Sequence, residues 1–186
     1  GTTWTPVADA MSNLNIGALA FDPTNPDIIY AGTGESYFSG DSLAGNGLWK
    51  SIDAGVTWTQ LASTTSWRAV GRIAVNPVDP QIILVARGGP GAGIMRTTNG
   101  GATWTNVYSG SDALFVAFDP NNSTKAVAYV YSSTARALYS VNSGASWSIG
   151  SGAGPSGRFE MAYAPATPDM VYLLNDNVEV ITAPPQ

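Results

Sequence analysis

The sequence predicts an all-β fold, a β-propeller of about four four-stranded antiparallel blades. Three observations carry that prediction: an octet that recurs at blade-length intervals, a turn motif that keeps step with it, and a composition poor in charge and rich in turn residues. The octet is Ser51-Ile52-Asp53-Ala54-Gly55-Val56-Thr57-Trp58, which returns as Thr97-Thr98-Asn99-Gly100-Gly101-Ala102-Thr103-Trp104 and as Ser140-Val141-Asn142-Ser143-Gly144-Ala145-Ser146-Trp147. The opening Gly1-Thr2-Thr3-Trp4 matches its second half. The four tryptophans are 54, 46 and 43 positions apart, the length of one four-stranded blade.

The second motif comprises Phe21-Asp22-Pro23-Thr24-Asn25-Pro26, Val75-Asn76-Pro77-Val78-Asp79-Pro80, Phe118-Asp119-Pro120-Asn121-Asn122-Ser123 and Tyr163-Ala164-Pro165-Ala166-Thr167-Pro168. Asp or Asn before Pro is turn chemistry, because Pro presets φ and the short polar side chain bonds nearby backbone N–H groups. Each copy lies between two apolar segments, so it reads as the hairpin loop between the first and second strands of a blade. Composition agrees: of 186 residues 44% are hydrophobic and only 11% charged, against about 25% charged in an average soluble protein.

Taken in order, the elements are a last blade strand in 1–7, blades at 14–61, 69–107 and 112–149, and an incomplete blade at 157–182. The first blade reads as strands over 16–22, 28–34, 47–52 and 57–61, with the octet turning between the last two. Ile28-Ile29-Tyr30-Ala31 and Ile82-Ile83-Leu84-Val85 are near-continuous apolar runs, which places those strands between neighbouring blades rather than against water. The last blade lacks an octet and the N-terminus begins with half of one. Three closures follow: residues 1–7 complete the last blade of a four-bladed ring, two chains alternate in an eight-bladed ring, or the chain is part of a longer propeller. Starting inside a motif favours the third.

Several chemistries are excluded. With no Cys and no His, the chain holds neither disulfides nor a thiol nucleophile, and neither a Ser-His-Asp triad nor a His-based zinc site. A net charge of -5 and eight scattered Lys and Arg argue against nucleic acid as a partner, since phosphate binding needs clustered cations. No apolar run approaches the roughly 18 residues of a membrane span. No cofactor and no metal are predicted, because no acidic spacing matches a calcium loop. Low charge, absent Cys and abundant Thr, Ser, Asn and Gly read as an extracellular, secreted protein.

The octet resembles the S-x-D-x-G-x-T-W pattern of the Asp-box, or BNR, repeats of β-propellers, found in sialidases, sortilin-type receptors, xyloglucan-active endoglucanases and photosystem assembly factors. The resemblance covers essentially the whole chain and implies a structural role for Ser51, Asp53, Gly55, Trp58, Asn99, Gly101, Trp104, Asn142, Gly144 and Trp147. In that reading the Asp or Asn accepts bonds from the turn, the Gly takes a positive φ and the Trp packs beneath. The chain departs from sialidases in lacking an F/Y-R-I-P opening, and from the endoglucanases in holding far fewer blades than their two seven-bladed domains.

Candidates for chemistry concentrate on the least repetitive stretch, Gly32 to Asn46, a long loop between the second and third strands of the first blade, at the strand ends away from the octets. Glu35 and Asp41 are a pair of acids in an aromatic-bearing loop, the residue types a glycosidase needs; the competing reading is that they bond loop backbone. Glu160 is a third catalytic candidate that equally serves as a partner for an adjacent blade, and Asp176 reads first as a turn residue. Tyr37 and Trp67 are candidates for stacking on sugar rings, and Trp49 reads as core. The function that follows is a secreted, non-catalytic module binding a polysaccharide or protein partner or helping to assemble a larger propeller. The alternatives are a fragment of an endo-acting, xyloglucanase-like glycoside hydrolase and an extracellular protein that self-associates through its open blade ends.

Overall fold

The computed structural model describes residues 2–3, 6, 11–36, 41–150, 159–164, 166–167, 170–175 and 181–183. These residues are all-β, apart from one 3-10 turn at Ala62–Thr64. The first blade holds β1 (Ile16–Asp22), β2 (Asn25–Thr33), β3 (Leu48–Ser51) and β4 (Thr59–Gln60). The second holds β5 (Ala69–Val75), β6 (Ile83–Gly88), β7 (Gly93–Thr97) and β8 (Thr105–Ser109). The third holds β9 (Asp112–Asp119), β10 (Asn122–Tyr131), β11 (Ala135–Ser140) and β12 (Ser148–Ile149). The fourth holds β13 (Phe159–Tyr163), β14 (Val171–Asn175) and β15 (Ile181–Ala183). In each sheet every strand pairs antiparallel with its successor, and the first strands pack against one another from blade to blade, β1 on β5, β5 on β9 and β9 on β13, which makes them the inner edges. The expected completion of the fourth blade by residues 1–7 lies largely outside the described residues.

Two strand boundaries differ from expectation for local reasons. β2 starts at Asn25 rather than 28, because Asp22 closes the hairpin tightly: its carboxylate accepts from the Thr24 N–H (2.8 Å), the Thr24 hydroxyl (2.7 Å) and the Asn25 N–H (3.2 Å). Pro26 fits there because the register passes from Asn25 directly to Ile29, so no ladder bond is asked of it. β4 is two residues long instead of five, since Thr57 is held in the octet turn by its N–H bond to Asp53 (2.8 Å).

The period-2 alternation of the first and second strands divides their side chains between neighbouring blades. In β6, Ile83 and Val85 pack toward the first blade and Leu84 and Ala86 toward the third, all four with no exposed surface, which is why the run is apolar without a break. Burying each of Ile83, Leu84 and Val85 contributes about 1.5–3 kcal/mol. The junctions are glued by polar contacts at the octet end as well. The Asn76 amide donates to Ser123 O (2.8 Å) and the Arg96 Nε–H to Ser143 O (2.9 Å), each crossing from the second blade to the third.

At the opposite strand ends the inner strands share a further feature. Register shifts place a β-bulge at Gly17 in β1, at Gly71 in β5 and at Leu114 in β9. Bulges locally raise twist and re-aim the chain. Glycine is required at two of them: a Cβ on Gly17 would overlap Gly34 O, and one on Gly71 would sit 2.8 Å from Ser36 Oγ and 2.9 Å from Leu114 O.

Candidate functional site

The two ends of the blades differ in kind, and the octet end is framework. In the first octet the Ser51 hydroxyl donates to Asp53 (2.8 Å) and accepts from the Gly55 N–H (2.8 Å), while Asp53 accepts from the Thr57 N–H (2.8 Å) and hydroxyl (2.6 Å). The second octet repeats the turn with Thr97, Asn99, Gly101 and Thr103, the third with Ser140, Asn142, Gly144 and Ser146, except that the Asn99 and Asn142 amides donate to the Thr103 and Ser146 hydroxyls. Trp58 and Trp104 donate their indole N–H to Gly55 O (2.9 Å) and Gly101 O (3.1 Å). Trp147 Nε1 is buried without such a partner. The positive φ expected at the fifth octet residue extends to the fourth: Ala54 has φ 57° and Ser143 φ 54°. The carbonyl of the neighbouring β1–β2 or β9–β10 hairpin explains it, since Ala54 N–H bonds Asp27 O (2.9 Å) and Ser143 N–H bonds Thr124 O (2.7 Å).

Asp53 is the only carboxylate among the three octet acceptors. The Thr57 hydroxyl, then the Thr57 N–H and the Ser51 hydroxyl, hold its pKa below the usual carboxylate range. A depressed folded-state pKa contributes stability that is fully present above the unfolded value and lost as pH falls through the folded one. Acid titration of unfolding is therefore expected to show a loss of stability below about pH 4 that is reduced in Asp53→Asn, because Asn99 and Asn142 already make the same turn without a titrating group. An unchanged acid limb in the variant would remove Asp53 from that role.

The other end carries the candidates. Gly34 turns the chain out of β2 with φ 89°, and the base of the loop is tied down at several points. Gly34 N–H bonds Asn15 O (2.7 Å), Glu35 N–H bonds Leu43 O (3.1 Å) and Gly45 N–H bonds Arg68 O (2.7 Å). The Asn13 and Asn15 amides donate to Ala44 O (2.9 Å) and Leu43 O (2.7 Å). Asn46, which the sequence reading passed over, is the hub. It accepts at Oδ1 from the Trp49 indole (3.1 Å) and the Thr33 hydroxyl (3.2 Å), and through its carbonyl from the Gln60 amide (2.6 Å). The Asn46-Gly47 pair, with Gly47 at φ 100°, was the available signal.

On this base Glu35 and Asp41 are exposed, while Ser36 is 5% exposed and seats against the bulge at Gly71. Tyr37 lies outside the described residues, as do Asp176 and Arg158. Glu160 is exposed on β13, at the position that Arg72 holds in β5 and Phe115 in β9, counting back from the turn motif. The structure thus brings Glu35, Asp41 and Glu160 to the same end of the strands, on two different blades.

Trp67 departs from expectation. Instead of being exposed it is 3% accessible, packed in the core between the first and second blades, edge-on to Trp104 at 5.2 Å between ring centroids and beneath the Arg87 guanidinium at 5.3 Å. Its place in the connection between blades drives it inward, where the preceding sheet and the next both offer apolar surface. Trp49, by contrast, is core as read, at 7% exposure. The arginines serve the framework too. Arg87 donates to Gly91 O (2.8 Å) and to Pro90 O, burial pulls its pKa below the usual value, and Arg72 lies 5.0 Å from the Phe115 ring. A groove of about 470 Å³ runs along the inner strands, lined by Leu19, Arg72, Val75, Val116, Phe118 and Pro120 among others.

Among the described residues no group of three His, Cys, Asp or Glu is placed to hold a metal ion, and no helix is long and apolar enough to cross a membrane.

Comparison with known proteins gives a consistent set. No family model matches the chain. A probable oligoxyloglucan-reducing end-specific xyloglucanase of Neosartorya fischeri is 31% identical over 138 residues, covering 64% of this chain and 16% of that protein. A xyloglucanase of a Paenibacillus species is 29% identical over 182 residues, covering 78% of this chain and 17% of that protein. The chain thus spans about a sixth of the curated relatives it matches. Among solved structures, an ancestral GH74 enzyme superposes with a TM-score of 0.73 at 20% identity, over 98% of this chain and 24% of that one. This likeness, together with four radially packed antiparallel sheets, establishes the fold as a β-propeller.

Proposed function

We propose that the chain belongs to the polysaccharide-binding propeller of a secreted glycoside hydrolase with xyloglucan as its substrate. The observation that carries this reading is the similarity to curated xyloglucanases across 64% and 78% of the chain. It moves the hydrolase reading ahead of a purely non-catalytic binding module. The octets are then Asp boxes, which fix the blade ends and leave the opposite ends to meet the glucan. Hydrolysis of a glycosidic bond needs one carboxylic acid to protonate the leaving oxygen and a second carboxylate to activate water or attack the anomeric carbon. Glu35 and Asp41 share a loop, so a pair facing each other across a chain of sugars takes one of them together with Glu160, or with an acid from another part of the whole protein.

The test measures binding and cleavage separately. Xyloglucan is expected to bind the chain saturably, with an unsubstituted β-glucan binding more weakly, and release of reducing ends is followed in parallel. In Glu35→Gln, Asp41→Asn and Glu160→Gln, a catalytic acid shows a fall in kcat of about 10²–10⁴-fold with binding retained. Binding with no cleavage in any form returns the chain to the binding-module reading. Absence of xyloglucan binding overturns the proposal.

A further inference from the structure

The loops that join second to third strands in the first two blades are each tied to the blade that follows. In the second blade the tie is backbone: the Gly89 N–H donates to the Asp112 carboxylate at the start of β9 (2.9 Å). In the first blade it is a side chain. Ser36 is buried and occupies the space that Gly71 leaves at the β5 bulge by having no side chain of its own. A Cβ on Gly71 would stand 2.8 Å from Ser36 Oγ, 3.0 Å from Ser36 Cβ and 2.9 Å from Leu114 O. The first-blade loop, the second blade and the third blade therefore meet at one point.

The residue before Ser36 is Glu35, which is exposed and stands at the neck of the loop. Its N–H bonds Leu43 O (3.1 Å), and the Gly34 N–H on its other side bonds Asn15 O (2.7 Å). Those two bonds tie the neck to the loop itself and to its own blade; Ser36 fixes where it stands over the next one. Neighbouring Cα atoms are about 3.8 Å apart, so a seat for Ser36 is also a seat for the Glu35 backbone. A loop places a functional side chain only as well as the scaffold holds the loop, and a carboxylate that acts on a bond needs a defined position.

We propose that Ser36 is a positioning residue for Glu35: seated in the recess left by Gly71, it fixes that carboxylate beside the point where β5 and β9 come together. The placement is a property of the fold. Its chemical consequence rests on the hydrolase reading, in which Glu35 takes one of the two carboxylate roles in cleaving the glucan.

The test empties the recess with Ser36→Gly and reads motion and cleavage separately. Because the chain contains no Cys, Glu35→Cys offers a single attachment point for a nitroxide spin label, and Val56→Cys, at an octet residue 72% exposed, offers a control. The label at position 35 is expected to be restrained with Ser36 in place and mobile in the Ser36→Gly background, while the label at position 56 is the same in both. Ser36→Ala, which keeps its Cβ in the recess, is expected to fall between. With Glu35 intact and no label, Ser36→Gly is expected to lower kcat for release of reducing ends from xyloglucan by up to about 10²-fold, at unchanged KM and an unchanged urea midpoint. Equal motion at position 35 with and without the Ser36 side chain overturns the proposal. So does a label freed at position 56 as well, which marks loss of the fold, or cleavage at the parental rate from a chain whose position 35 has been freed. A parent that releases no reducing ends is the separate failure of the hydrolase reading, and the label still decides whether Ser36 holds position 35.

Discussion

Replacing Trp67 with alanine is expected to destabilise the fold by about 3–5 kcal/mol, the range for removing a buried large aromatic. The loss has three parts: a cavity between the first two blades, the edge contact with Trp104 at 5.2 Å, and the ring that the Arg87 guanidinium faces at 5.3 Å. Arg87 would be left partly buried with its Nε already unpartnered, so the change reaches beyond its own volume. Urea unfolding checks the magnitude. Trp67→Phe is expected to retain more than half of the lost stability, as it keeps an aromatic face for Arg87. Xyloglucan affinity measured where both forms are folded is expected to be the same within about twofold, 0.4 kcal/mol by the logarithmic relation; a large selective loss of affinity without loss of stability would mean the ring is reached by ligand.

Gly34→Ala is the second large effect, and it links fold to site. With φ at 89° an alanine is strained before any contact is considered, and its Cβ would overlap the Arg68 carbonyl and lie 2.6 Å from Gly45 N. Both neighbours are backbone, and Gly45 N–H and Arg68 O are bonded to each other at 2.7 Å, so neither yields cheaply. A cost of about 3 kcal/mol or more is expected, read as a drop in the thermal midpoint. The loop carrying Glu35 and Asp41 leaves β2 at this residue, so binding and cleavage of xyloglucan are expected to fall together. A folded variant of parental stability and parental affinity would show that the loop base tolerates displacement.

Much of the architecture was legible because the repeats report turn chemistry directly. Asp22, Asn76 and Asp119 cap their hairpins as the Asp-Pro and Asn-Pro motifs require, and Asp53, Asn99 and Asn142 fold their octets the same way. What stayed hidden depends on contacts between segments distant in sequence. The positive φ at Ala54 and Ser143 is imposed by carbonyls from neighbouring hairpins, which no local preference of Ala or Ser announces. Trp67 lies in a connection outside the repeat, so nothing in its surroundings in sequence told buried from exposed. The bulge at Leu114 has no glycine to mark it, unlike those at Gly17 and Gly71. The candidate site was legible only as an irregular loop with acids: Ser36 and Asn46, which anchor that loop, are ordinary polar residues whose roles follow from where β5 and β9 bring Gly71 and Leu114 to Ser36, and where Thr33, Trp49 and Gln60 converge on Asn46.

The alanine shared by Ala20, Ala74, Ala117 and Ala162 has a consequence for how such a molecule changes over time. Each junction places an alanine beside a larger residue of the second strand, Tyr30, Leu84 or Val127, so the plan is shared while the side chains that fill it differ, and the covalent chain holds the order of the blades. A blade duplicated in tandem would find neighbours built to its own plan, and a blade lost would leave two faces that still follow it. Growth and shrinkage by whole blades is thus mechanically permitted, and the loops at the ends are free to diverge while the spacing between sheets stays standard.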